Sequence, residues 1–144
     1  VLELVLQDAA RIDAVLLLRF DVGYSRAITS MAIDWARTNV AWKNTQETWE
    51  QERKVSDLFF ALPIGHARPM LDAFYALDNR SANVEYIYPE IVAASEVGEA
   101  GVHFVEDRYC SSTVFWPYDT TGNCPSANLG IDRSCPSLAA ELCG

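Results

Sequence analysis

Two imidazoles, His66 and His103, and four cysteines are the side chains in this sequence best suited to do chemistry. A catalytic histidine needs a nucleophile and an orienting acid held against it. Many Ser and Asp residues are available to either ring, so no such set is singled out. There is no Gly-rich phosphate loop, no Gly-x-Ser-x-Gly elbow and no His-Glu-x-x-His pair. Glu106 and Asp107 are adjacent, and in a strand they point to opposite faces. They form no acid/base pair. His103, between Val102 and Phe104, reads as an ordinary strand residue. No Cys-x-x-Cys occurs, and the two histidines lie too far apart to complete a metal cluster. The expectation is a protein without catalytic residues, metal or cofactor.

The cysteines, Cys110, Cys124, Cys135 and Cys143, all fall in the tail. An even number without metal spacing reads as two disulfides and an oxidising compartment. Three connectivities are open, with neighbour pairing, Cys110–Cys124 and Cys135–Cys143, preferred. Asn79-Arg80-Ser81 matches a glycosylation sequon but reads more simply as a polar turn.

Glu3 is an acid inside the apolar run Val1-Leu-Glu-Leu-Val-Leu6. A buried carboxylate is costly unless paired. In an assembly, the terminal amine of a neighbouring chain would neutralise it and set the register. At a helix N-terminus the same charge is favoured by the helix dipole. Both readings fit the sequence.

The chain that positions these groups has 144 residues, half of them hydrophobic, and a net charge of −9. That length suits one domain with a core. The acidic balance, with Lys43 and Lys54 the only lysines, argues against nucleic acid and against an anionic membrane surface. No apolar run reaches the roughly 18 residues of a spanning helix. With no initiator Met, the chain is expected to be processed or truncated.

Up to Leu62 there is no proline and no cysteine, and the one glycine is Gly23. Leu2, Val5, Ala9, Ile12 and Leu16 step by three and four, which predicts a helix over 1–20. Further apolar residues widen its stripe beyond that of a surface helix. After a possible kink at Gly23 the face resumes with Ile28, Met31, Trp35, Thr38, Trp42, Thr45 and Trp49. Trp35, Trp42 and Trp49 return to one side every two turns and are expected to pack the helix on a sheet. Pro63, Gly65 and Pro69 punctuate the next segment. Met70, Leu71, Phe74 and Leu77 predict a short helix over 69–77. The runs Val84–Tyr88, Val102–Val105 and Thr113–Trp116 predict antiparallel strands. Beyond Pro117 the composition is that of a looped tail.

Val1-Leu-Glu-Leu-Val-Leu6 resembles the start of a type IV pilin, where an acid interrupts an apolar N-terminal helix. Leu18-Arg-Phe20 is similar to the Pro-Arg-Phe step of mannose-sensitive-haemagglutinin-type pilins. The segment Leu62–Asp78 resembles their Gly-Tyr-Pro region and the short helix after it. The chain differs from that pattern in the polar run Gln7–Asp13 and in lacking the proline before Arg19. The resemblance implies an α+β, pilin-like fold. A long N-terminal helix (1–56, with 1–20 the assembly part) would pack on the antiparallel sheet of a head (57–144) closed by disulfides.

It also implies an extracellular, cell-surface filament of identical subunits, used for adhesion or motility. Each subunit would pass through the inner membrane before assembly. Leu2, Glu3, Val5, Ala9, Ile12 and Leu16 would be the assembly residues. The alternative is an extracytoplasmic ligand-binding sensor domain. Ile33-Asp-Trp-Ala36 and Trp42 resemble a helix of some bacterial sensors, and the ligand would sit near Tyr86, Tyr88, His103 or Arg108.

Overall fold

The computed structural model describes residues 1–19, 23–24, 27–43, 49–105 and 114–115. There is no long N-terminal helix. Helix α1 covers only Leu2–Gln7 and stops at Asp8, whose backbone leaves the helical region. A 3-10 turn, Ala9–Arg11, follows. Ala14–Leu18, the most apolar part of the expected helix, is strand β1. A short apolar run carries no period that separates strand from helix, and tertiary pairing decides. Here it pairs along its whole length with β4, Phe59–Pro63.

Strand β3, Thr38–Val40, lies on the other side of β4. Strand β5, Val102–Phe104, lies beyond β3 and runs parallel to it. The order is β1-β4-β3-β5, so the sheet is mixed rather than antiparallel. Gly23–Tyr24 (β2) and Val114–Phe115 (β6) form a separate two-stranded ladder. This is a small α+β domain, and the pilin-like architecture with its 1–56 helix is overturned.

The remaining helices among the described residues are α2, Trp49–Glu52, α3, Ala67–Asn79, and α4, Tyr88–Ala94. The helix expected over 69–77 is α3, one turn longer. The strand expected over 84–88 is instead a 3-10 turn, Val84–Tyr86, leading into α4 with Pro89 in its first turn. Proline there loses no needed hydrogen bond and presets the helical φ. Among the described residues no helix is long and apolar enough to cross a membrane.

Register assigns the two sheet faces. Leu17, Phe60, Val40 and Phe104 form one row across the four strands. This face carries the main core, with Met70, Leu71 and Leu77 of α3 and Ile91 of α4 packed on it. The neighbouring row, Leu16, Ala61, Asn39 and His103, faces the other way. Residues 27–37 cover much of that side with a smaller cluster of Met31, Trp42, Leu58, Phe59 and Val105. Asn39, fully buried, anchors the cover. Its Oδ1 accepts from the Asp34 amide at 2.8 Å, and its Nδ2 faces the carbonyls of Asp34, Arg37 and Ala61 at 2.8–2.9 Å. A buried amide so satisfied fixes a loop on a sheet that apolar contact alone would leave free to slide.

The expected assembly and packing residues are therefore dispersed. Leu2 is buried, and Val5 and Ile12 are partly buried against the main core, while Leu16 is exposed on β1. Ala9 opens the 3-10 turn. Glu3 is exposed in the first turn of α1 and accepts a hydrogen bond from the Tyr75 hydroxyl of α3. Trp35, Trp42 and Trp49 share no helix. Trp35 is half-exposed in the covering loop, Trp42 is buried just past β3, and Trp49 begins α2. Cys110, Cys124, Cys135 and Cys143 lie outside the described residues.

Candidate ligand cavity

The helix side of the sheet holds two places where polar and apolar groups converge. The first is a cavity of about 340 Å³ where the end of β4 turns into α3 and the end of α4 passes opposite. Its position follows from the local sequence. Pro63 ends β4, the turn Ile64–His66 redirects the chain, and α3 starts at Ala67. On the far side α4 ends at Ala94, and Ser95 returns to an extended conformation. Met70, Pro69, Ile91 and Ala94 supply apolar walls, while His66, Thr38, Ser95 and Glu96 supply polar groups.

Thr38 is buried, and its hydroxyl lies 3.0 Å from His66 Nδ1. A hydroxyl both donates and accepts, so it holds the ring in either neutral tautomer. Ser95 Oγ accepts from the Val97 amide at 3.4 Å and so shapes the wall. Gly101 lies behind Ser95 and Val97 of that wall. A Cβ there would stand 2.7 Å from Ser95 Oγ and 2.9 Å from Val97 Cγ2, so either side chain would have to shift to admit it. Gly98, at φ +58, makes the turn that brings Gly101 against Ser95, in a region an L-residue rarely adopts.

Among the described residues the partner of the His66 ring is the Thr38 hydroxyl. The volume holds roughly ten non-hydrogen atoms at the about 30 Å³ that each water occupies in the liquid.

The second place is the aromatic cluster of Trp49, Tyr88 and Phe104. Trp49 meets Tyr88 edge-on at 4.9 Å and Phe104 at 5.5 Å, and Tyr88 stacks on Phe104 at 5.8 Å. Both lysines and Arg53 gather round it. Lys43 Nζ lies 4.5 Å and Arg53 Cζ 5.2 Å from the Trp49 ring, and Lys54 Nζ lies 5.1 Å from Tyr86. Carboxylates answer most of this charge. Arg53 pairs with Glu50 and Glu99 at 3.1 and 3.2 Å, and Lys54 with Glu52 at 3.0 Å. The Glu52 bond and a Tyr86 bond hold the Lys54 pKa above its ordinary value. Burial, reinforced by Glu99, raises that of Tyr88, and Arg53 partly offsets the rise. The three rings pack against one another at the margin of the core, with Arg53 and Lys54 each held by carboxylates.

The sequence-expected sensor site divides between these regions. Tyr88 is buried in the cluster and Tyr86 sits under Lys54 at the surface. His103 is on the opposite face, its Nε2 2.8 Å from the Ala32 carbonyl. Arg108 lies outside the described residues. His66 was visible as one of two imidazoles, but Thr38, Ser95 and Glu96 carried no signal. They meet only because β3, α3 and α4 converge. Among the described residues no group of three His, Cys, Asp or Glu side chains is placed to hold a metal ion. Comparison of the chain with family models, curated proteins and solved structures found no match.

Proposed function

We propose that this chain is a small-molecule-binding domain whose ligand occupies the cavity beside His66. The observation that carries the reading is a hollow whose lining joins the apolar Met70, Ile91 and Ala94 to the polar residues His66, Thr38, Ser95 and Glu96. Binding sites are concave, mainly apolar and furnished with a few placed polar groups. The ligand class is a compact amphipathic molecule. Its apolar body lies against Met70, Ile91 and Ala94. Its polar end meets Thr38, His66 and Ser95, and a basic nitrogen would be met by Glu96. The setting we propose is extracytoplasmic, on the strength of the even cysteine set. The domain would act there as the ligand-reading part of a sensor or carrier. The filament reading rested on a helix over 1–20, and it lost that support with the fold.

The test is a thermal-shift screen of small amphipathic amines and carboxylates, followed by calorimetry on the hits. Ala94→Trp fills the hollow from the end of α4 and is expected to weaken binding at least about tenfold, or about 1.4 kcal/mol. Its circular dichroism should stay native. Hits that bind Ala94→Trp as tightly as the parent protein would place the site elsewhere.

A further inference from the structure

Helix α2 ends on a strained residue. The Arg53 amide donates to the Trp49 carbonyl at 3.0 Å, and Arg53 itself turns left-handed, at φ +50. A left-handed residue is a common way to stop a helix, and glycine is the one that adopts it freely. An arginine is strained there, because its Cβ crowds the carbonyl that follows. Such strain persists where surrounding contacts hold the residue in place.

The Arg53 side chain has those contacts. Its Nη2 bonds Glu50 of α2 at 3.1 Å, and its Cζ lies 5.2 Å from the Trp49 ring. Its Nη1 reaches Glu99, 46 residues further along the chain, at 3.2 Å. Glu99 belongs to the 3-10 turn Gly98–Gly101. That turn follows directly on Ser95, Glu96 and Val97, which line the cavity beside His66. The two stretches are bound together. The Gly98 amide donates to the Ser95 carbonyl at 3.2 Å, and the Val97 amide to Ser95 Oγ at 3.4 Å. Gly101 is buried close behind Ser95 and Val97. Residues 95–101 thus form a compact strap between the end of α4 and the start of β5. Glu99 is where Arg53 takes hold of it.

We infer that Arg53 is a positioning residue for the cavity: its bond to Glu99 ties the strap to α2 and keeps Ser95, Glu96 and Val97 in place beside His66. The consequence for binding rests on the reading of the cavity as a ligand site. The Glu99 side chain is 61% exposed, so the tie is a weak one that opens and recloses.

The test is modification of the two histidines by diethyl pyrocarbonate, read by mass spectrometry, with hydrogen exchange on the same proteins. His66 reports on the wall. His103 lies on the opposite face of the sheet and is the internal control. Arg53→Gly suits the left-handed backbone and removes the tie, and Glu99→Gln removes it from the other end. The two change the net charge in opposite directions. A change common to both therefore reports the wall and not the field at His66. Each should raise the His66 rate about threefold, the worth of one exposed ion pair, with His103 unchanged and circular dichroism native. The Val97 and Gly98 amides should exchange faster by a similar factor. The double variant should go no further than either single one. Arg53→Lys keeps a cation within reach of Glu99 and should stay nearer the parent protein than Arg53→Gly does. A His66 rate that either Arg53→Gly or Glu99→Gln leaves unmoved would overturn the inference. So would a rise shared equally by His103, or effects that add in the double variant. These readouts need no ligand, so the inference can fail while the cavity reading stands. A ligand screen without hits would sink that reading alone.

Discussion

The Trp49 cluster and the His66 cavity lie on the same face of the same sheet and end differently. Around Trp49 the three rings fill the space, and Arg53 and Lys54 each have a carboxylate. Trp49 and Tyr88 are only 6% and 5% exposed. Beside His66 the walls stop short of one another, and the polar groups face a hollow. A polar set answered by its own neighbours contributes to stability. A polar set around a void has spare capacity, and that capacity is where a ligand's binding energy comes from. On the proposed reading, the richer collection of charges and rings is the structural one.

The largest test of this contrast is Trp49→Ala. Removing a buried indole leaves a hole that Tyr88 and Phe104 cannot close, and the loss should be about 3–5 kcal/mol. Urea unfolding would measure it. The affinity of any cavity ligand should change far less than the stability. A variant that stays stable but loses the ligand would reverse the two roles.

Gly101→Ala should act the other way round. The new methyl presses on Ser95 and Val97, which must shift, at a cost of about 1–3 kcal/mol. Because these two residues line the cavity, the ligand's dissociation constant should rise as well. Calorimetry alongside urea unfolding checks both effects. Unchanged affinity would separate the 95–101 segment from the site.

The smallest effect is a pH dependence in the cluster. The folded protein holds the Tyr88 proton above the pH at which the unfolded chain releases it. Its contribution is therefore fully present below the ordinary tyrosine pKa near 10. It is lost as pH rises from there through the folded-state value. Ultraviolet titration of tyrosinate should show a late-titrating group that is absent in Tyr88→Phe. An identical curve for that variant would show that the ring is not shielded as described.

Parts of this molecule are legible in its sequence. Met70, Leu71, Phe74 and Leu77 repeat at helical spacing after Pro69, and α3 stands there. Val102–Phe104 is β-branched and aromatic after the glycine-bounded turn Gly98–Gly101, and it is β5. The N-terminal half misleads because two periods overlap. Leu2, Val5, Ala9, Ile12 and Leu16 fit a helix, yet Ala14–Leu18 fits a buried strand equally well, and pairing with β4 decides between them. The polar run Gln7–Asp13 was the mark of a break, and α1 stops at its start. Pro89 was the mark against a strand over 84–88, since it suits the first turn of a helix. The site was less legible than the fold. His66 meets Thr38 across 28 residues of sequence and shares its cavity with Ser95. No local pattern encodes such a meeting, because the sheet order brings it about.

The most direct test of the account is amide chemical-shift mapping. The labelled protein would be titrated with small amphipathic amines and carboxylates of about ten non-hydrogen atoms, the size the cavity admits. The account predicts saturable shifts gathered at Thr38, His66, Ser95 and Val97, with the amides around Trp49 quiet. Shifts gathered around Trp49, or none at the cavity across the set, would contradict it.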